Sequence, residues 1–445
     1  MTSHDFLTMD DFDPAGKTVL VRVDINAAIE KGRIQDSERL EAHGQTIREL
    51  SEKGAKVVVL AHQGRAGDKD FTRLEQHASL LSNHVGKKVK YVPDLSGKAT
   101  LQGIRKMSAG KVFLLENVRM YAEESLDGKK MPFEKALFVT ELSSVCDVFV
   151  NDAFSAAHRA QTSLMGFTHT LPSYAGRVMQ HEYHAVQKAT AHAQKPVVQL
   201  LGGGKPDEPL ALMEYALEHH QADMILTSGV LGELCLLAKG KKLGRKEQWL
   251  KEQGYLSYLP KVQELMSKYE DKIDVPGDFA YADEHGIRVE VKLEQLPDLA
   301  QSVFDIGTNT AHAYARHIKS AKTVYLKGPL GAYEQKAFEQ GTRLVLQAMQ
   351  ECKAFTLLGG GHTITALKKF GFSFKKFGHV SLAGGALLEM LQGKKLPAIE
   401  ALKESARKIG YAQTAAKAEN EGKAAAEMEK TESKMRDSGQ AQTPP

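Results

Sequence analysis

Cationic and polar side chains recur just past apolar runs, or in the loop that follows, through the early part of this 445-residue chain. RVDINAA (Arg22 to Ala28), SERLEAH with Arg39, LAHQGRAG with His62 and Arg65, LENVRMY with Arg119, and NDAFSAAHRAQ with Arg159 share this layout. One such arginine is ordinarily half of a surface ion pair. Four of them, with two histidines, at the strand exits of one domain predict a converging basic cup. The guanidinium fork matches carboxylate and phosphate oxygens in pairs, so the ligand of such a cup is a small polyanion.

The second half offers glycine where the first offers charge. GGGKP (Gly202 to Pro206) follows an apolar run and precedes LALMEYALEHH, a helical pattern. Glycines there let backbone N–H groups approach a phosphate, and Lys205 can place a charge on it. The spacing of a Walker A loop is absent, and a bare tight turn explains GGGKP equally well. GGGHTITALKKFG (Gly359 to Gly371) says more, because FTLL leads into three glycines and His-Thr then opens an amphipathic helix. The free N–H groups and positive dipole end of such a helix make an anion site. Thr363 also fits an N-cap, although three preceding glycines exceed what capping needs. His362 fits a phosphate contact or a solvent-facing position. In KGPLGAYE (Lys327 to Glu334) the Gly-Pro-x-Gly is turn chemistry, and Glu334 fits a ribose contact or a solvated surface.

These residues need a frame to hold them. KTVLVRV (Lys17 to Val23), AKVVVL (Ala55 to Leu60), KVFLL (Lys111 to Leu115) and DVFV (Asp147 to Val150) read as buried strands. So do PVVQLL (Pro196 to Leu201), DMILT (Asp223 to Thr227), KTVYLK (Lys322 to Lys327) and AFTLL (Ala354 to Leu358). Helical patterns such as Leu74 to Val85 and Phe338 to Gln350 lie between them. Strands alternating with helices predict an α/β fold with parallel sheets covered on both faces. Open sheets of this kind bind ligands at the carboxyl ends of their strands, which is where the charges and the glycines fall. GRVMQHEYHAVQKATAHAQKP (Gly176 to Pro196) reads as one long connecting helix ending at the proline, with a domain boundary near residue 190. From about Gln413 the chain turns to Ala, Lys and Glu, then Gly, Ser, Gln and Pro, and residues 413–445 are expected to be a low-complexity tail with little to bury.

Composition excludes several classes. Lys and Arg total 59 against 55 Asp and Glu, a net +4, too even to point to nucleic acid. Cys146, Cys235 and Cys352 lie far apart and outline neither a zinc cage nor a disulfide framework. The acidic start MTSHDFLTMDDFDP lacks an apolar core of a signal peptide, and no uncharged apolar run is long enough to span a bilayer. A cytoplasmic protein, with no membrane as partner, is expected.

Read together, these segments resemble the phosphoglycerate kinase family from about Lys17 to about Ala401. R-V-D-x-N is met at Arg22 to Asn26, H-x-G-R at His62 to Arg65, and L-E-N-x-R at Leu115 to Arg119. N-D-A-F and A-H-R-A follow at Asn151 to Phe154 and Ala157 to Ala160. L-G-G-x-K, D-I-G-x-x-T, G-P-x-G and G-G-G-x-[ST] come later in the family's order, closed by HVSLAGGALLEMLQGKKLP (His379 to Pro397). The resemblance implies two similar-sized domains facing each other over a cleft: 1–185 for the acid substrate and 186–400 for the nucleotide, with 401–412 a helix returning to the first. Asp24, Asn26, Arg39, His62, Arg65, Arg119 and Arg159 would contact 3-phosphoglycerate or 1,3-bisphosphoglycerate. Gly203, Gly204, Lys205, Gly229, Gly328, Glu334, Gly360, Gly361, His362 and Thr363 would contact ATP or ADP. Arg39 and Lys205 would be the catalytic pair, and Mg²⁺ would be carried mainly by the nucleotide phosphates, with no protein ligands assigned. A monomer and a homodimer are both compatible.

Several positions depart from the common bacterial and eukaryotic pattern of that family, and the first motif ends Ala27-Ala28 where Val-Pro is common. Pro209 stands where a second lysine contacts nucleotide phosphate. His362 replaces the acidic residue after the glycine triplet. Lys327 replaces the asparagine before Gly-Pro-x-Gly and could restore the charge lost at Pro209. GGGH rather than GGGD is similar to the archaeal branch. A catalytically inactive paralogue that still binds nucleotide or a polyanion is the alternative; it would be favoured by loss of Arg39 or Lys205, and both are present. A dinucleotide-dependent dehydrogenase would need a GxGxxG after an early strand, which is absent.

Overall fold

Each of the eight apolar runs is a strand, and β-branched and aliphatic residues buried on alternate sides build two six-stranded parallel sheets. The structure, a computed structural model, describes residues 5–125, 128 and 131–410. The first sheet runs Val89–Tyr91, Val112–Leu114, Lys56–Leu60, Thr18–Arg22, Val148–Asn151, Ser173–Ala175 in space. Val19 lies level with Val57 on one side and Val148 on the other. Val19, Val21, Val57 and Val59 pack on the helices Glu38–Glu52 and Glu75–Val85, while Leu20, Val58, Leu60 and Phe149 pack with Ile104, Phe138 and Leu142 of the opposite layer.

The second sheet runs Ile273–Asp274, Met224–Thr227, Val197–Leu201, Thr323–Lys327, Phe355–Gly359, His379–Val380. One face, with Val198, Leu200, Val324 and Leu326, meets Tyr314, Ile318, Val345 and Leu367; the other, with Leu201, Ile225, Tyr325 and Leu357, meets Met213, Leu234, Leu265 and Leu387. Covering both faces is what near-continuous apolar strands require.

Beside this sheet lies a three-stranded antiparallel one, Arg288–Lys292, Asp278–Ala282 and Asp305–Ile306, which the sequence pattern does not announce. Its Asp278 carboxylate caps the helix Thr308–Ser320, accepting from the N–H groups of Asn309 at 3.0 Å and Thr310 at 2.8 Å.

The connecting helix is shorter than expected. It spans Arg177–Ala189 and stops short of Pro196. Its buried stripe of Met179, Tyr183, Val186 and Ala189 ends there, and residues 191–196 are largely exposed, so no apolar face draws the helix onward. Asp152 starts it, with Oδ1 accepting from Val178 N–H at 2.8 Å. The last described helix covers 397–410, four residues earlier than expected. Leu396, Ile399 and Leu402 share a core with Phe6, Ala153, Phe154 and Tyr183, and Ala398 N–H donates to the Ala157 carbonyl at 3.1 Å. Residues 411–412 of the expected returning helix, and the expected tail 413–445, lie outside the described residues. Among the described residues no helix is long and apolar enough to cross a membrane.

Candidate active site

The basic cup forms where the strands of the first sheet end. Arg22, the last residue of its strand, is fully buried. Its Nε donates to Ser163 Oγ at 2.8 Å, Nη2 to His62 Nδ1 at 3.0 Å, and Nη1 to the Val23 carbonyl. Ser163 passes the contact on, since its Oγ donates to Glu124 Oε1 at 2.8 Å and its N–H to Oε2 at 2.8 Å. A buried carboxylate thus lies behind the buried guanidinium.

Asp24 is the carboxylate of the cup itself. It accepts from Arg39 Nη1 at 3.3 Å, from Asn26 N–H at 3.1 Å and from the Ser155 hydroxyl, and His62 Nε2 lies 3.8 Å away. Asn26 turns its Oδ1 to Gly64 N–H at 2.8 Å, fixing the loop that carries Arg65. Arg119 donates to the Gly64 carbonyl. Arg65 is exposed and its side chain makes no hydrogen bond among the described residues, and the Arg159 guanidinium makes none either. His43 is spoken for: Nδ1 meets Asp152 Oδ2 at 2.8 Å, and Nε2 accepts from Asp24 N–H at 3.3 Å.

The electrostatics register the convergence. Burial lowers the Arg119 pKa to about 10, with Arg22 and Arg159 adding to the effect. Arg159 is pushed down by burial and then by Arg65, and Arg22 by burial and, among the charges, by Arg159. Burial, with Arg22, Arg119 and Arg159, puts His62 well below the ordinary histidine range, so its ring is neutral at pH 7. Burial also opposes ionisation of Asp24; the cup around it, with Arg39, Ser155 and the Asn26 N–H, more than offsets this and holds its carboxyl below the usual range.

The glycine turns of the second half meet in one cavity of about 530 Å³, and every residue that the resemblance assigns to the nucleotide lines it. Two of these turns admit only glycine. A Cβ on Gly229 would sit 2.4 Å from the Gly203 carbonyl oxygen, and one on Gly328, whose φ is +79°, would sit 2.5 Å from that of Gly202. Three strand ends therefore interlock backbone against backbone. Lys205 stands exposed beside them without a hydrogen bond among the described residues.

The Gly360–Thr363 turn differs from the capping alternative. Gly360 is the N-cap of the helix Gly361–Lys369, and Thr363 sits two residues into it. Its hydroxyl is buried without a hydrogen-bond partner among the described residues. His362 Nδ1 lies 3.5 Å from Glu334 Oε1, with both side chains exposed. Lys327 does not stand free to replace a lost lysine: its Nζ pairs with Glu208 Oε2 at 2.7 Å. Pro209 is buried in the first turn of the helix Asp207–Glu218.

The cup is tied to elements of the second sheet's layer. Arg39 Nε and Nη2 donate to the carbonyl of Leu382 at 3.2 and 2.9 Å. Its neighbour Glu38 pairs with Lys368 Nζ at 2.6 Å, on the helix that the Gly360 turn opens. Glu182 of the connecting helix accepts from Leu382 N–H at 2.9 Å.

A frame in which one parallel sheet ends in cations and a second ends in glycine turns is an α/β fold with two anion-binding clefts. Comparison with known proteins makes the class specific. A family model described as phosphoglycerate kinase matches residues 9–394, and the chain belongs to that family. It is 42% identical over 408 residues to the phosphoglycerate kinase of Methanothermobacter thermautotrophicus, covering 91% of this chain and 98% of that one. The phosphoglycerate kinase of Methanococcus maripaludis is 43% identical over 412 residues, covering 91% and 99%. The crystal structure of phosphoglycerate kinase from Pyrococcus horikoshii OT3 superposes with a TM-score of 0.81 at 37% identity, covering 90% of this chain and 99% of that one. That from Coxiella burnetii gives 0.77 at 31% identity, covering 90% and 100%. The archaeal relatives accord with the resemblance of GGGH to that branch.

Sequence reasoning passed over several residues the site uses. Arg22 served only as a motif letter, and its counter-charge Glu124 lies 102 positions away in the chain, with no pattern linking the two. Glu233 carried a signal, being a lone charge in the apolar helix Gly229–Ala238.

Proposed function

We propose that this chain catalyses reversible phosphoryl transfer between 1,3-bisphosphoglycerate and ADP, giving 3-phosphoglycerate and ATP. The observation that carries the reading is the convergence of Arg22, Arg39, Arg119 and Arg159 around Asp24 and His62 at the ends of one sheet, with a glycine-lined cavity at the ends of another. Asp24, Asn26, His62, Arg65, Arg119 and Arg159 hold the acid substrate. Neutral His62, with Nδ1 accepting from Arg22, offers Nε2–H to an oxygen. Gly203, Gly204, Gly229, Gly328, Glu334 and the Gly360–Thr363 turn hold the nucleotide, with the unpartnered Thr363 hydroxyl available to a phosphate oxygen.

Phosphoryl transfer asks little covalent work of a protein; its loose transition state spreads charge over three equatorial oxygens. Arg39 from the cup and Lys205 from the cavity supply fixed positive charge there. The acceptor carboxylate is already a nucleophile, so no base is needed. Bringing the two sites together excludes water and protects ATP from hydrolysis. Among the described residues no cluster of three or more His, Cys, Asp or Glu could hold a metal ion, and glycine N–H groups with Lys205 suit phosphates; this donor set fits Mg²⁺ carried by the nucleotide. Mg²⁺ so bound would neutralise phosphate charge. The reading divides the chain into domains 1–185 and 186–400, takes 401–412 as returning to the first, and locates the protein in the cytoplasm.

The test is a coupled assay for ATP- and 3-phosphoglycerate-dependent formation of 1,3-bisphosphoglycerate, with and without Mg²⁺, beside Lys205→Ala. Mg²⁺-dependent turnover that collapses in the variant is expected. Turnover surviving the substitution moves the catalytic charge elsewhere. No turnover with nucleotide binding intact by calorimetry would establish the inactive paralogue.

A further inference from the structure

Part of the cavity wall is built unlike the glycine turns. Trp249, Phe279 and Phe304 line it, and among them two charges are buried. The side chains of Glu233 and Lys246 are each 7% exposed, with Oε1 and Nζ 3.3 Å apart. Lys246 Nζ also donates to the Val303 carbonyl at 3.3 Å and lies 4.3 and 4.9 Å from the ring centres of Trp249 and Phe304. Glu233 Oε2 is buried and accepts no hydrogen bond from the described residues. Both side chains line the cavity.

A charge pair in an apolar wall is a poor way to gain stability, because desolvation offsets the attraction. An acceptor left unmatched there makes it poorer still. Such an arrangement suits a ligand that completes it. What the wall presents is an acceptor, Oε2, next to a donor, Nζ, beside aromatic faces on which a flat base stacks. Adenine carries a donating exocyclic amine next to an accepting ring nitrogen. A 6-oxopurine carries an acceptor where that amine stands, and so places an acceptor against Oε2.

Resting on the nucleotide reading above, we propose that Glu233 and Lys246 select a 6-aminopurine over a 6-oxopurine: Oε2 accepts from the exocyclic amine and Nζ donates to the neighbouring ring nitrogen. Burial, only partly opposed by Lys246, lifts the Glu233 carboxyl to about 7, so pH 8 is where the accepting form prevails.

The experiment compares ATP with inosine triphosphate at pH 8, in wild type, Glu233→Gln and the doubly neutral Glu233→Gln/Lys246→Met. Wild type should prefer ATP in kcat/KM by about 10²-fold or more, mostly through KM, as sites built around a specific hydrogen bond do. Glu233→Gln, whose amide can donate to a 6-oxo group, should shrink that preference at least about tenfold. The double variant, free of any unpaired buried charge, should also lose it while still turning over. A purely structural pair would weaken both nucleotides by the same factor, and that result overturns the inference, as does wild-type turnover without preference. Absence of both turnover and binding with either nucleotide overturns the nucleotide reading and this inference with it.

Discussion

Arg39 Nη2 donates to the carbonyl of Leu382 at 2.9 Å, joining residues 343 positions apart in the chain. The same guanidinium holds Asp24 through Nη1 at 3.3 Å. The cation proposed to face the transferred phosphoryl is thereby positioned by both sheets, one through a carboxylate and the other through a peptide carbonyl. Preorganised charge of this kind needs no rearrangement as the transition state forms.

Arg39→Ala should therefore cut kcat by about 10²–10³, equal to about 3–4 kcal/mol of barrier. Stability should also fall, by about 1–3 kcal/mol, because Asp24, 5% exposed, loses its guanidinium partner. The coupled assay and thermal unfolding, run on the same preparation, check both halves. Arg39→Lys restores charge without the fork and should recover only part of the rate.

Ser163→Ala removes in one step the hydroxyl that accepts from Arg22 Nε and donates to Glu124 Oε1. Both partners are buried and charged, so the cost to stability should be about 2–3 kcal/mol. Urea unfolding should show a lower midpoint at an unchanged slope. A loss under about 0.5 kcal/mol, the size of an ordinary surface substitution, would show that the relay is not structural.

At Gly328 the added methyl of Gly328→Ala meets the Gly202 carbonyl oxygen at 2.5 Å, from a backbone of φ +79°. The strain should cost about 1–3 kcal/mol and fall on nucleotide binding. Calorimetry should find weakened ATP affinity, while 3-phosphoglycerate affinity stays as in wild type.

His77 gives a pH dependence. Its buried ring contacts Gln63 Oε1 through Nε2 at 3.0 Å, and burial lowers its pKa from 6.5 to about 4. The unfolded chain binds the proton more readily than the folded one. The stability contribution is thus complete above pH 6.5, falls as pH drops, and is gone by about pH 4, amounting to about 3 kcal/mol. Denaturant titrations between pH 7 and 4 should show this slope, and His77→Asn should flatten it.

How much of this was legible follows from where each residue lies. The eight strands read from the sequence were visible because they lie inside the two sheets with both faces covered, leaving unbroken apolar runs such as Val19–Val21 and Val57–Leu60. Edge strands of two or three residues, Val89–Tyr91 and Ile273–Asp274, are too short to carry a period. The antiparallel sheet escaped for another reason: only Val291 of Arg288–Lys292 is buried, so its pattern reads as surface. Residues of the cup fell into recognisable motifs because each follows a strand. The Arg39–Leu382 and Arg22–Glu124 relations are long-range and involve a backbone carbonyl or a buried charge, neither of which leaves a local mark. Thr363 illustrates the limit of local rules, since it has an N-cap's chemistry yet sits inside the helix, its cap position taken by Gly360.

The core that unites Phe6, Phe154 and Tyr183 with Leu396, Ile399 and Leu402 bears on biosynthesis. A nascent chain that has emerged as far as residue 190 holds all six strands of its first sheet but lacks the last helix that covers this apolar patch. The patch stays open until the helix 397–410 has left the ribosome. Maturation of the early portion thus waits on a helix from the far end of the described residues, and until then the exposed Phe and Tyr side chains are open to the contacts that make partly folded chains aggregate.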